Sequence, residues 1–191
     1  LTPEQIQLLG RFTHRVILVY DADAAGLKAS LANCGAFLRA GFQVSAVPLP
    51  EGKDPDNIAQ EQKLETGKWL ANREQNFLQY FAISLRGKNP GTDPNREEEA
   101  MQRLSTLISV IPSETLLLKC IEIMAGIFGS NTEVIQRKVN SILRQRKTAS
   151  IKEKDKMAPG IYGIDMIAEA RSENEPCILT SDYQEFLTLY G

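Results

Sequence analysis

The stretch Val16–Gly26, VILVYDADAAG, decides the fold prediction, because an apolar run ends in two aspartates and a turn of small residues. Side chains two positions apart on a strand point to the same face. We therefore expect Asp21 and Asp23 to project together from the end of a buried strand. Two such charges at roughly 6 Å repel by about 2–3 kcal/mol at an effective dielectric near 20. A divalent cation with oxygen ligands would offset that repulsion; the alternative is an acidic pair in a solvated turn.

Strand and helix patterns alternate around this stretch. The run Val16–Tyr20 is typical of a strand covered on both faces, and Gln43–Leu49 indicates a second one. Between them, four apolar residues recur at helical spacing, and Gly41 can end that helix: Leu27, Leu31, Cys34 and Leu38. This order predicts a βαβ unit with a parallel pair of strands. The ligand site of such a unit lies at the carboxyl ends of its strands.

A second pair of aspartates follows the second predicted strand. In PEGKDPDNIA, which comes after Leu49, Asp54 and Asp56 fall at the same predicted edge of the sheet. Four carboxylates there would hold one or two Mg²⁺ ions, with Mn²⁺ as a substitute, a donor set suited to phosphoryl and nucleotidyl transfer. The alternative is structural: Asp54 caps a helix that Pro55 begins, a role worth about 1 kcal/mol, and Asp56 favours the helix dipole.

The remainder of the chain divides into three further stretches. Residues 72–147 show helical spacing without a strand pattern, which predicts a small all-α bundle, with Ser113 capping one helix and Ser130 forming a capping box with Glu133. Residues 148–160 are polar and aperiodic, which indicates a linker. Residues 161–191 suggest a helix, a short strand at Cys177–Leu179 and a second helix. The predicted fold is thus α/β: a partial parallel sheet with flanking helices in residues 1–71, followed by the bundle.

Composition narrows the class of protein. The chain has 191 residues, 42% of them hydrophobic and 24% charged, which is ordinary for a soluble globular protein. Because the net charge is −2, any basic surface that binds nucleic acid must be confined to one part of the molecule. The basic residues Arg144, Arg146 and Lys147 are the candidates for phosphate contacts, and a solvated helix end is the alternative.

Targeting signals and cysteine spacing point to one compartment. The chain contains no apolar stretch of roughly 18 residues that would span a membrane, and no signal-peptide pattern. Its three cysteines fit no zinc spacing, and Cys34 and Cys120 fall in apolar helical patterns, so we expect buried free thiols. These features suit a reducing cytoplasm.

Because Leu1 is not an initiator methionine, we expect the chain to be a fragment of a longer protein.

The two acidic motifs, in this order, resemble the second half of a Toprim domain and, more closely, that of the bacterial DnaG-type DNA primases. The matching segments are YDADAAG at residues 20–26 and LPEGKDPD at residues 49–56, and the resemblance extends over about residues 1–146. It implies that Asp21 and Asp23 are catalytic and that, with Asp54 and Asp56, they hold Mg²⁺ and the incoming nucleoside triphosphate. It also implies RNA primer synthesis on a DNA template and a replicative helicase as a partner.

The chain departs from that family in one important respect. A Toprim domain needs a glutamate on an earlier strand, and nothing before Asp21 supplies it. The tail resembles the segment that normally carries this glutamate, but Ser181 stands in its place, so the tail is either a degenerate Toprim segment or an unrelated appendage. We therefore expect the fragment alone to be inactive. Two alternatives remain: a non-catalytic scaffold that binds a helicase or another replication protein, and a haloacid-dehalogenase-like phosphatase, which Ala25 disfavours.

Overall fold

Short strands and longer helices alternate in the first half of the protein, and helices dominate the second half. The computed structural model describes residues 1–21, 23–87, 89–156 and 177–179, with the backbone alone for residues 150–156 and 177–179. The elements are α1 (Pro3–Leu9), β1 (Arg15–Val19), α2 (Ala24–Arg39), β2 (Gln43–Val47), α3 (Pro55–Gln62), α4 (Thr66–Ala71), β3 (Gln75–Asn76), α5 (Phe77–Arg86), α6 (Pro94–Ile108), α7 (Glu114–Phe128), α8 (Thr132–Lys156) and β4 (Cys177–Leu179). No helix within these ranges is both long enough and apolar enough to cross a membrane.

The sheet is four-stranded and mixed, in the order β3-β2-β1-β4. Strands β1 and β2 run parallel, with Arg15 opposite Gln43 and Val19 opposite Val47. The predicted βαβ unit with its parallel pair is therefore confirmed. The two-residue strand β3 pairs antiparallel with β2 in a region where we predict no strand, because two residues are too few to show an alternating pattern.

Local hydrogen bonds explain where several helices begin. Thr2 accepts from the backbone N–H of Gln5, whose side chain accepts from the N–H of Thr2, and Pro3 occupies the first position of α1. Ser113 caps α7 as predicted. The predicted capping box at Ser130 does not form. Asn131 accepts from the N–H of Glu133 at 2.9 Å instead, because the N–H of Ser130 already donates to a carbonyl at the end of α7.

Both faces of the sheet are covered by helices, as the apolar strands predict. One face buries Ile17, Val19 and Val47 against α3 and α4. The other face packs on α2 and the helical region in one continuous cluster, which includes the fully buried Phe37 and Phe81. Each such side chain contributes about 1.5–3 kcal/mol on removal from water. The βαβ unit and the helical region therefore share one hydrophobic core.

The predicted linker begins inside a helix. Helix α8 continues through Lys156, so residues 148–156 of the predicted linker are helical. Strand β4, predicted at Cys177–Leu179, pairs parallel with β1, with Leu18 opposite Leu179. The two helices predicted on either side of β4 lie outside the described residues, as does Ser181.

Candidate metal centre

Asp21 and Asp23 lie at the carboxyl end of β1, in the short connection to α2. Strand β1 ends at Val19, so both aspartates follow the strand at its carboxyl end, where the sequence predicts them. Asp23 is the N-cap of α2, and its Oδ1 accepts from the N–H of Gly26 at 2.6 Å. Its other carboxylate oxygen makes no hydrogen bond within the described part of the chain and is left for another ligand. The helix dipole of α2 partly compensates the negative charge here.

Gly26 allows the first turn of α2 to approach the end of the strand. A Cβ atom at this position would lie 2.3 Å from the carbonyl oxygen of Asp21 and 3.2 Å from Oδ1 of Asp23. Only a residue without a side chain fits this contact. The glycine therefore permits the close approach of α2 to both aspartates.

The two aspartates share one cavity of about 350 Å³. Asp21 is half-buried and Asp23 is exposed. The remaining lining residues come from α2, from the segment that follows β2 and from α5: Ala24, Leu27, Pro48, Leu49, Tyr80 and Ser84. The cavity volume falls within the range that small-molecule ligands occupy in proteins. The structure thus brings together the first predicted carboxylate pair, beside an apolar wall.

Asp54 and Asp56 do not line this cavity and occupy the start of α3. Asp54 is the N-cap, accepts from the N–H of Asn57 at 2.7 Å, and completes a capping box with that residue. Asp56 lies in the first turn and accepts a hydrogen bond from the side chain of Gln60 at 2.6 Å. Both carboxylates are exposed. The contacts of both carboxylates are those of the structural alternative, in which Asp54 caps the helix and Asp56 lies in its first turn.

Two carboxylates, those of Asp21 and Asp23, are the candidates among the described residues for holding a metal ion. Among them, no group of three or more histidine, cysteine, aspartate or glutamate side chains is placed to hold a metal. Mg²⁺ commonly binds through one or two carboxylates together with substrate phosphates and water. Asp21 and Asp23 fit that donor set, since they share a cavity with room for a ligand. A site built from all four aspartates stays a prediction.

The predicted phosphate-binding residues lie on α8, away from the cavity lining. Arg144 and Lys147 are exposed, whereas Arg146 is half-buried and donates to the carbonyl oxygen of Thr106 at 3.3 Å. Two of the three basic side chains are therefore available to a ligand in solution.

Tyr80 and Ser84 are site residues that the sequence pattern does not reveal. Both occur in the helical stripe of α5, where an aromatic residue predicts core packing. Burial raises the pKa of Tyr80 above its ordinary value. The Ser84 hydroxyl donates to the backbone carbonyl of Tyr80 at 2.9 Å. The one sequence signal is a pair of hydroxyl groups, four residues apart, on a mainly apolar helix.

Comparisons with known proteins show similarity to bacterial DNA primases. A family model described as Toprim-like matches residues 1–59. The DNA primase of Staphylococcus epidermidis is 28% identical over 151 residues, which is 78% of this chain and 25% of that protein. The Aquifex aeolicus primase structure, of the zinc-binding and RNA polymerase domains, superposes with a TM-score of 0.55 at 27% identity over 71% of this chain and 32% of that one. The chain is related to the DnaG-type DNA primases.

Another of the similar structures contains bound single-stranded DNA. The DnaG primase catalytic domain bound to single-stranded DNA matches 69% of this chain and 43% of that one, with 27% identity and a TM-score of 0.55. The chain spans about a quarter of the length of the Staphylococcus epidermidis primase. The likeness to DnaG-type primases favours the primase interpretation over the phosphatase alternative.

Proposed function

We propose that this chain supplies the cation-holding part of a primase centre, which in the intact protein joins ribonucleotides into an RNA primer on a DNA template. The observation that carries the proposal is the shared cavity of Asp21 and Asp23 at the carboxyl end of β1, in a chain related to DnaG-type primases. Ligand sites in parallel α/β units occur at that edge. We also propose that the intact protein binds nucleoside triphosphates and a DNA template, and that it is located in the cytoplasm.

The proposed roles follow from the geometry. Asp21 and Asp23 would hold Mg²⁺ or Mn²⁺, which when bound activates a hydroxyl nucleophile and stabilises the displacement at phosphorus. The N–H of Gly26 orients Asp23 by donating a hydrogen bond to one of its carboxylate oxygens. The other carboxylate oxygen would then bind the ligand. Leu27 and Leu49 form an apolar wall that limits water beside the carboxylates. This arrangement pre-positions the acidic groups before any ligand binds.

Primer synthesis by the intact protein tests this proposal. Asp21→Asn removes one carboxylate charge, and we expect the rate of primer synthesis on single-stranded DNA to fall at least a hundredfold. Asp93→Asn is the matched control, because Asp93 caps α6 outside the cavity and asparagine retains the cap. Equal rates for the wild type and Asp21→Asn would refute the catalytic role.

A second candidate function is a non-catalytic scaffold that binds a replicative helicase or another replication protein. The observation that favours it is that, within the described ranges, no group of three or more histidine, cysteine, aspartate or glutamate side chains is placed to hold a metal. This alternative predicts an intact protein that makes no primers with Mg²⁺ or Mn²⁺, yet is retained by an immobilised helicase. The primer assay therefore separates the two candidates.

Contacts to the template are proposed for α8. Arg144 and Lys147 are exposed on this helix and can meet phosphates. Replacing both with alanine should weaken single-stranded DNA binding and flatten its dependence on log salt concentration by about 1–2 units. Arg103→Ala is the control, because Arg103 is paired with Glu99 on α6. An unchanged salt slope in the double variant would remove α8 from the nucleic-acid surface.

A further inference from the structure

Tyr80 presents an unused hydrogen-bonding group at the edge of the acidic cavity. Its side chain is 9% exposed and lines the cavity with Asp21 and Asp23. Its hydroxyl makes no hydrogen bond within the described part of the chain, and the oxygen is not among the fully buried, unbonded side-chain atoms there. The ring is held by Phe81, with centroids 5.0 Å apart and planes at 70°. A fixed ring thus carries a free hydroxyl.

Tyr20 shows how a tyrosine in the same core is satisfied. It is 4% exposed, and its hydroxyl accepts from Nδ2 of Asn33 at 2.5 Å. Buried tyrosine hydroxyls usually find such a partner because an unmade hydrogen bond costs free energy. Tyr20 does not line the cavity. Tyr80 differs from Tyr20 in two respects: its side chain lines the acidic cavity, and its hydroxyl has no hydrogen-bond partner within the described residues.

The chemistry of the cavity defines the ligand that would use this hydroxyl. Asp21 and Asp23 offer acceptor oxygens only, whereas a neutral phenol donates a hydrogen bond. Leu27 and Pro48 add an apolar surface. A ligand that combines cation-bound phosphates, further oxygen acceptors and a flat apolar part satisfies all three groups. A nucleoside triphosphate has this composition.

We propose that Tyr80 positions a nucleoside triphosphate in the cavity by donating a hydrogen bond to one of its oxygens. The inference rests on the proposed function, because the phosphates would be held by the cation at Asp21 and Asp23. It extends the site from the βαβ unit to α5, so that the helical region contributes to ligand binding.

The test compares Tyr80→Phe with Tyr20→Phe, since each substitution removes one phenol hydroxyl from a buried ring. Calorimetry measures the affinity for Mn²⁺ alone and then for ATP at saturating Mn²⁺. We expect Tyr80→Phe to bind Mn²⁺ within twofold of the wild type and to bind ATP about three- to tenfold more weakly, as the loss of one hydrogen bond implies. Tyr20→Phe should change neither affinity.

A second readout uses the unmodified protein. With ¹³C-labelled tyrosine and diamagnetic Mg²⁺ at saturation, the ring resonance that is missing in Tyr80→Phe should shift on addition of ATP, while the resonance missing in Tyr20→Phe should stay in place. The readout comes from the unmodified protein, and the two variants serve only to assign the resonances.

The outcomes separate this inference from the proposed function. Equal ATP affinities for the wild type and Tyr80→Phe, or an ATP-independent Tyr80 resonance, would overturn the inference. A parallel loss of Mn²⁺ affinity in Tyr80→Phe would show a structural role and overturn it as well. Mn²⁺ binding that is unaffected by Asp21→Asn with Asp23→Asn would instead refute the proposed cation site.

Discussion

Gly26→Ala tests the contact that places the two aspartates. The new Cβ would lie 2.3 Å from the carbonyl oxygen and 3.1 Å from the carbonyl carbon of Asp21, whereas nonbonded carbon atoms are most stable about 3.5–4.0 Å apart. The obstructing atoms are backbone, so the start of α2 must move. Overpacking of this kind costs about 1–3 kcal/mol.

The opposing effect is helix propensity. Alanine in a helix is about 0.5–1 kcal/mol more favourable than glycine. A contact of 2.3 Å to a backbone atom belongs to the upper part of the overpacking range, about 2–3 kcal/mol. We therefore expect Gly26→Ala to lower the free energy of unfolding by a net amount of about 1–2.5 kcal/mol. The matched control is Gly126→Ala in α7, where an added Cβ meets no atom within 4 Å. That variant should gain about 0.5–1 kcal/mol.

Urea denaturation followed by far-ultraviolet circular dichroism measures both variants against the wild type. The two substitutions are chemically identical, so opposite signs would isolate the close approach at Asp21. A Gly26→Ala protein as stable as the wild type, or more stable, would refute the tight turn between β1 and α2.

Three further predictions concern caps, charges and thiols. Asp54→Ala removes the N-cap of α3 and should lower the free energy of unfolding by about 1 kcal/mol in urea denaturation; no loss would contradict the cap. Burial raises the pKa of Glu74, but hydrogen bonds from Arg15 and Ser45 outweigh it and lower the net pKa. Glu74→Gln should therefore destabilise the protein at pH 7 by less than about 1 kcal/mol, because the side chain of Arg15 is 43% exposed to solvent. Urea denaturation at several pH values should show the stability difference between the variant and the wild type shrinking below pH 4.5. Burial raises the pKa of Cys34, so peptide mapping after thiol labelling at pH 8 should find it unmodified in the native protein and labelled in urea; native labelling would place the thiol outside the core.

Features encoded within a few residues could be predicted from the sequence. Thr2 with Pro3 specifies the start of α1, because the cap and its partner lie three residues apart. The apolar run before Asp21 likewise predicts a strand buried on both faces, and the structure confirms it. Asp54 shows the limit of such reasoning: its position after a strand suits a metal ligand and a helix cap equally, and only the hydrogen bond to Asn57 shows which contact it makes.

Features that depend on tertiary placement could not be predicted. Tyr80 is a core residue by its spacing, and it reaches the acidic cavity only because α5 packs over the end of the sheet. The choice of Asn131 over Ser130 as a helix cap depends on the bond that Ser130 makes to the preceding helix. The clash that requires Gly26 joins two backbone segments, and no periodic pattern records that contact.

Calorimetric titration with Mn²⁺ tests the central claim most directly, namely that Asp21 and Asp23 form the cation site. The two variants to compare are Asp21→Asn with Asp23→Asn, and Asp54→Asn with Asp56→Asn. Asparagine is as good an N-cap as aspartate, so both proteins should fold. We predict that the first double variant loses Mn²⁺ binding and that the second retains wild-type affinity. Undiminished binding by the first variant would contradict the claim.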